Sequence, residues 1–426
     1  MHGSLIGGGV QRLLTIDELD LAGVIRPGDR VIFSQGTGEP RTLTERLVAQ
    51  KDALPPFEIF LGVQFSETFH PERTAGISFS SYGAIGKAAA LAKAGRLNVI
   101  PSHYGSLSQA FSRGERRADV ALLQLAPQPK SGSGYSLSLA NDIAAQAAVH
   151  ARVIIAEVNP DAPWTHGAEL PSNLVPHLFV EARHKPIELP PTQVGPTELA
   201  IARLAASLIP NDATLQLGVG TIPDAVLSQL SAHRDIGIHS GQIGDSVVPL
   251  IEHGIITNAR KSTHPGVSVC GSLFGTRRLY DFAHLNPAIA VRPPPETHSL
   301  RVMAAIDRFI SINSAIEVDL TGQVNAEVAS GVYVGGLGGQ LDFMRGANAS
   351  AGGRAIIALP ATTRDGTISR IVPSMTTVTC PRADVDAIVT EFGIAELRGL
   401  SLEERRRRMI AIAAPQFRDR LAAIRE

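Results

Sequence analysis

The sequence predicts an α/β protein made of two related, open, mainly parallel α/β domains. Three observations carry that expectation. Short apolar runs alternate with helix-patterned stretches along the chain, the rhythm of parallel strands covered on both faces. Glycine is abundant, at 40 residues, while aromatic residues make up only 5%, which suits many tight strand-to-helix turns better than a β-sandwich. A strand–glycine loop–proline–helix unit also occurs twice.

In order, residues 15–25 read as a short first helix, with Asp17 and Glu18 where the helix dipole favours acids. Pro27-Gly28-Asp29 makes a turn, residues 30–34 a buried strand, and Gln35-Gly36-Thr37-Gly38-Glu39 a glycine loop. Pro40 suits the first position of the helix that carries Leu43, Leu47 and Val48. Such a unit aims backbone N–H groups at an anion, which makes Gly36 and Gly38 binding candidates. The grammar returns as Pro210-Asn211-Asp212, a strand at 213–217, the loop Gly218-Val219-Gly220-Thr221-Ile222 and Pro223. Asp29 with Asp212 and Pro40 with Pro223 keep one register, while the glycines slip by one residue; Gly218 and Gly220 are the second candidate pair. Pro190-Pro191 between the halves reads as a linker, giving domains at 1–188 and 193–426.

Further strands are expected at 57–63, 97–101, 120–125 and 153–158, with alanine-rich helices at 84–94 and 141–151. The second half repeats the rhythm at 267–272, 309–313, 355–359 and 387–389. The basic run Arg405-Arg406-Arg407-Arg408 follows Glu403 and Glu404, and reads as a solvated, partly ion-paired helix face rather than a nucleic-acid patch.

A length of 426 residues exceeds one ordinary core. Net charge is -1, from 39 basic and 40 acidic residues, so no global field steers the chain to nucleic acid or a membrane. The two cysteines, Cys270 and Cys380, lack metal-ligand spacing and suit a reduced, cytoplasmic setting. No signal peptide is expected at residues 1–11, and no apolar run is long enough to span a bilayer. Neither a dinucleotide fingerprint, a Walker lysine in proper context nor a metal-ligand pair on one helix face is found, so no metal dependence is expected.

The stretch Gly237-Ile238-His239-Ser240-Gly241-Gln242-Ile243-Gly244-Asp245-Ser246 concentrates polar groups between glycines. It reads as a loop after a buried strand, before a helix at 247–252, where α/β enzymes place their chemistry. This run resembles the active-site loop of the acetyl-CoA hydrolase/transferase family, which includes the 4-hydroxybutyrate CoA-transferases. The likeness continues in family order: Glu157-Val158-Asn159-Pro160, Thr165-His166-Gly167, residues 275–282, 313–320 and 336–343, Ser369-Arg370-Ile371-Val372-Pro373, and residues 390–397. The resemblance implies two CoA-transferase-type domains with the active site between them, an acyl-CoA substrate with no permanently bound cofactor, and a homodimer or larger assembly. It also implies that Gly336, Gly338, Gly339 and Gln340 lie at the CoA thioester site.

Three departures stand out. Gly241 occupies the position of the family's nucleophilic glutamate. Trp164 stands where an arginine is common, and residues 130–135 replace a stretch usually carrying a proline and an Asp- or Asn-rich turn. The family's double displacement needs a side chain able to carry an acyl group, and glycine has none. Replacement candidates are Glu39, either a helix-start acid or a carboxylate reaching the cleft from the other half, and His239, either a general base on water or a satisfied histidine in the loop. Asp245 either orients that base, contacts substrate or caps the following helix. Ser240, Gly241 and Gln242 are expected at the substrate, with Gln242 able either to donate to an oxyanion or a carboxylate or simply to bond the loop backbone; His166 is a weaker candidate and Glu157 a structural one. Three functions follow: a water-dependent hydrolase of a thioester or of a carbon–carbon bond in a β-dicarbonyl CoA ester, which is favoured; a CoA-transferase with a relocated carboxylate; or a CoA-ester-binding protein without catalysis.

Overall fold

The structure, a computed structural model, describes residues 12–129, 134–218 and 220–424. Two large sheets organise it. Strand Arg30–Phe33 lies inside the first, with Glu58–Leu61, Ser78–Ser81 and Leu97–Val99 laid out in sequence on one side. Val120–Pro127, Val153–Val158 and Leu178–Glu181 follow on the other, and Leu13–Leu14 closes that edge. Thr214–Leu217 holds the corresponding place in the second sheet. Gly237–Ile243, Ser268–Leu273 and Ile289–Val291 extend one way, and Phe309–Ser314, Arg354–Ala358 and Ala387–Thr390 the other. The repeat inferred from Asp29/Asp212 and Pro40/Pro223 is thus a repeat of strand order.

Neighbours in these two series are parallel; the antiparallel additions are Tyr135–Ser136 on the first sheet and Gly393–Glu396 on the second. Parallel strands buried on both faces must be apolar on both faces. In Val120–Pro127, Val120, Leu122, Leu123 and Leu125 are all buried, and so are Ile310 and Ile312 of Phe309–Ser314. Burying such side chains contributes about 1.5–3 kcal/mol each. Residues 182–213 carry no strand and join the two sheets through the helix Pro196–Ala206.

Several expectations change. Residues 15–25 form two short 3-10 turns, Ile16–Glu18 and Leu21–Gly23, because the Asp20 carboxylate accepts from Ala22 N (3.0 Å) and starts a new turn. The alanine-rich helices are shorter than expected, at Ala88–Lys93 and Ile143–Ala148, the second starting where Asp142 accepts from Ala144 N. The stretch read as a loop at 237–246 is strand through Ile243. Gly237 and Ile238 pair with Thr214 and Leu215, and His239, Ser240, Gln242 and Ile243 pair with Ser268–Leu273, so the polar side chains ride on a strand inside the sheet. The arginine run is not simply solvated. Arg405 is buried, its guanidinium donating to Thr321 O (3.1 Å) and Arg382 O (2.9 Å), while Arg407 pairs with Glu403 at 3.9 Å. Residues 130–133 and Val219 lie outside the described residues.

Glu157 is structural, as its sequence context suggests. Its carboxyl accepts from Thr42 Oγ1 (3.0 Å) and Leu43 N (3.2 Å), and burial pushes it up to about 8. A carboxyl raised in the fold holds its proton in the native state while the unfolded chain has lost it. Its contribution is therefore complete below the unfolded value near 4.5 and is lost as pH rises towards 8. We expect the unfolding free energy of the wild type, measured by urea titration, to fall from pH 5 to 8 by up to about 1.4 kcal/mol per pH unit from this group. Glu157→Gln should flatten that slope; an unchanged slope would place the burden elsewhere.

Candidate active site

A cavity of ≈ 290 Å³ lies where the carboxyl ends of strands from both sheets converge. Gln35 lies two residues past Arg30–Phe33, Val63 two past Glu58–Leu61, and Gly218 directly follows Thr214–Leu217; all three line it, as do Asn313 and Ser314. Arg30–Phe33 and Thr214–Leu217 are the strands from which the order runs both ways, and such switch points leave a crevice at their carboxyl ends.

The second half's glycine loop closes the cavity against the first half. Ala84 N donates to Gly335 O (2.7 Å), Tyr104 N to Gly338 O (2.8 Å), and Gly105 N to Asp342 Oδ2 (2.9 Å). Gly83 and Gly336 meet so closely that a Cβ on either would lie within 2.8 Å of the other's backbone. Elsewhere Asn141 N donates to Gly271 O (3.0 Å) and Leu273 N to Leu139 O (2.9 Å). The first-half wall is a polar network centred on Gln35, whose Oε1 accepts from Tyr82 Oη (2.8 Å) and Val63 N (3.1 Å) while Nε2 donates to Tyr104 Oη (3.1 Å).

Among the described residues one carboxylate, Asp142, lines the cavity. Its Oδ2 accepts from Gln35 N (2.6 Å) and its Oδ1 from Ala144 N (2.8 Å), so both oxygens are engaged; burial raises it to about 6. Across the cavity, a Cβ on Gly241 would lie 3.2 Å from both His298 Nε2 and Phe343 Cε2. The imidazole of His298 packs on Phe343 (ring centroids 4.5 Å) and Tyr104 (4.7 Å). Its Nδ1 is 2.8 Å from Thr297 Oγ1, which also reaches Pro293 O at 3.3 Å, leaving Nε2 for the cavity. Burial, then the neighbouring His239, lowers His298 to about 3, so the ring is neutral at ordinary pH. Gln340 Nε2, also on the cavity wall, is a buried donor without a partner.

Of the residues expected at the site, Gly218, Gly241, Gln242, Gly336, Gly338, Gly339 and Gln340 line this cavity. Gln242 Nε2 is spent on Leu217 O (3.1 Å) and Gly218 O (2.8 Å). Gly36, Gly38, Gly220 and Ser240 do not line it: Gly36 N and Gly38 N donate to Val63 O and Gln35 O, and Ser240 Oγ bonds Leu217 O (3.2 Å). Neither do the three catalytic candidates. Glu39 is buried with Thr44 Oγ1 donating to Oε1 (2.7 Å), and burial raises its carboxyl. His239 is fully buried, its Nε2 at 3.1 Å from Thr297 O. Asp245 caps not the helix after it but Arg277–Ala283, accepting from Thr276 N (3.0 Å) and Leu279 N (3.2 Å). The backbone of His166 bridges to Ala290, with its ring edge-on to Trp164. Sequence reading missed His298, which sits in a proline-rich segment with no neighbouring motif, and the Gln35–Tyr82–Tyr104 wall.

Residues 11–176 match the acetyl-CoA hydrolase/transferase N-terminal domain, and residues 275–424 its C-terminal domain. The chain is 39% identical over 397 residues to a 4-hydroxybutyrate coenzyme A transferase of Clostridium kluyveri, covering 92% of each chain. It belongs to the acetyl-CoA hydrolase/transferase family.

Solved structures agree. RipA from Yersinia pestis superposes with TM-score 0.89 at 32% identity, covering 96% of both chains. A 4-hydroxybutyrate CoA-transferase of Porphyromonas gingivalis does so with TM-score 0.79 at 33% identity, again over 96% of each. Relatives carry names of CoA transferases for the most part, with an acetyl-CoA hydrolase among them. The protein is therefore an enzyme of this family, which acts on CoA thioesters. Among the described residues no group of three or more His, Cys, Asp or Glu is placed to hold a metal ion, and no helix is long and apolar enough to cross a membrane.

Proposed function

We propose that this enzyme hydrolyses an acyl-CoA thioester, with His298 replacing the family's covalent glutamate by a non-covalent route. The observation that carries the reading is the wall at Gly241. It offers no carboxylate, His298 and Phe343 stand against it, and the cavity's Asp142 has both oxygens committed to backbone N–H groups. No lining side chain is free to hold the acyl group as an anhydride.

In this mechanism His298 Nδ1–H donates to Thr297 Oγ1, whose own hydrogen goes to Pro293 O. That chain sets the tautomer and presents the Nε2 lone pair to a water. The water oxygen attacks the thioester carbonyl while its proton passes to Nε2. Gln340 Nε2 donates to the resulting oxyanion. Negative charge developing beside the ring favours the imidazolium, so its basicity rises as the reaction advances. Collapse breaks the C–S bond, and the CoA thiolate takes the proton. The chain's two sequence-derived domains, 1–188 and 193–426, each supply one wall.

Transfer of CoA to a carboxylate is the second reading, supported by the names of the relatives; it requires Asp142 to leave its backbone partners and act as the acyl carrier. Thiol release from an acyl-CoA panel, with and without acetate, separates the two. Release independent of acetate is expected. Acetate-dependent exchange with an acyl-enzyme trapped by hydroxylamine would overturn hydrolysis.

A further inference from the structure

The wall chemistry of the cavity narrows the acyl group, a step that rests on the acyl-CoA reading above. Among the described residues no lysine or arginine lines it. Its polar groups are amides, hydroxyls, one imidazole and the Asp142 carboxylate, and its remaining surface is apolar, with Val63, Ile85, Leu217, Phe274, Leu337 and Phe343 contributing. Those amides are largely paired to protein: Gln35 to Tyr82 and Tyr104, and Gln216 to Asn313 (3.1 Å). A negative group entering here would meet no counter-charge, and the carboxylate already present, Asp142, would repel it. Burying an unpaired charge is among the costliest events in a protein interior.

Size points the same way. A cavity of about 150 Å³ admits benzene, and this one measures ≈ 290 Å³. That leaves room for a ring-sized or branched group together with the thioester end of the pantetheine arm, and an acetyl group would leave much of the apolar wall uncovered.

We propose that the enzyme selects uncharged acyl groups of about five to eight carbons, branched or cyclic, and rejects acyl groups that end in a second carboxylate. The glycine loop supports this selection, since Gly336, Gly338 and Gly339 bring backbone, not charge, to the cavity.

Binding tests this without any turnover. Dethia-CoA analogues, in which a methylene replaces the thioester sulfur, are titrated calorimetrically into the full-length protein at pH 7.5. Hexanoyl and glutaryl analogues match in length and differ in terminal charge. Hexanoyl should bind about 100-fold more tightly than glutaryl, and benzoyl about tenfold more tightly than acetyl. Leu337→Lys, which places a cation on the wall, should bring the glutaryl analogue to within about tenfold of the hexanoyl one. Equal binding of glutaryl and hexanoyl by the wild type overturns the proposal, as does failure of both to bind. The two inferences fail separately. The expected binding order without thiol release leaves selectivity in place and removes hydrolysis, whereas equal release from glutaryl-CoA and hexanoyl-CoA keeps hydrolysis and removes selectivity.

Discussion

His298→Ala should lower kcat for thiol release by about 10²–10⁴-fold, the usual contribution of a positioned general base, with KM within about threefold. The ring touches the cavity, its Nδ1 is held by Thr297, and none of the sequence-derived catalytic candidates lines the same space. Because burial holds the imidazole near 3, the wild-type kcat should cross pH 5 to 8 without the step near 6.5 that an ordinary histidine base produces. The ring also packs on Phe343 and Tyr104, so thermal melting must accompany the kinetics; a loss of Tm without loss of kcat would reduce His298 to a packing residue. Wild-type turnover in the variant would remove it from the mechanism.

Gly241→Glu tests the other half of the argument. Gly241 has no positive φ, so its backbone accepts a side chain, but the Cβ meets His298 Nε2 and Phe343 at 3.2 Å. Placing a carboxylate there alone therefore displaces or pairs with the imidazole, and water-dependent release should fall at least about tenfold. The double variant Gly241→Glu/His298→Ala removes that conflict. It should gain acetate-dependent CoA exchange with an acyl-enzyme that hydroxylamine traps, an activity the wild type lacks under hydrolysis. If the double variant forms no such intermediate, while melting and binding CoA as the wild type does, Gly241 is not the position that decides between transfer and hydrolysis.

Much of the architecture was legible in the chain because parallel strands buried on both faces leave an unmistakable pattern. Residues 153–158 were delimited to the residue, and the runs at 57–63, 120–125 and 309–313 each contain the strand that forms or its greater part. The glycine loop at 336–343 was found through its family motif, and the structure places its glycines and Gln340 on the cavity. Local pattern failed where a side chain's partner lies far along the chain. Asp245 looks like a cap for its own helix and instead caps one that starts at Arg277. Glu39 looks available beside a glycine loop and is instead buried against Thr44.

What the sequence determined by itself was the two-fold α/β plan, the family, and the absence of a carboxylate at Gly241, because strand periodicity, turn residues and motif order are local properties. Tertiary structure alone decided which groups share the cavity. His298, Gln35, Tyr82 and Tyr104 come from separate segments, and only the docking of the two sheets' carboxyl ends sets an imidazole beside a glycine that gives it room.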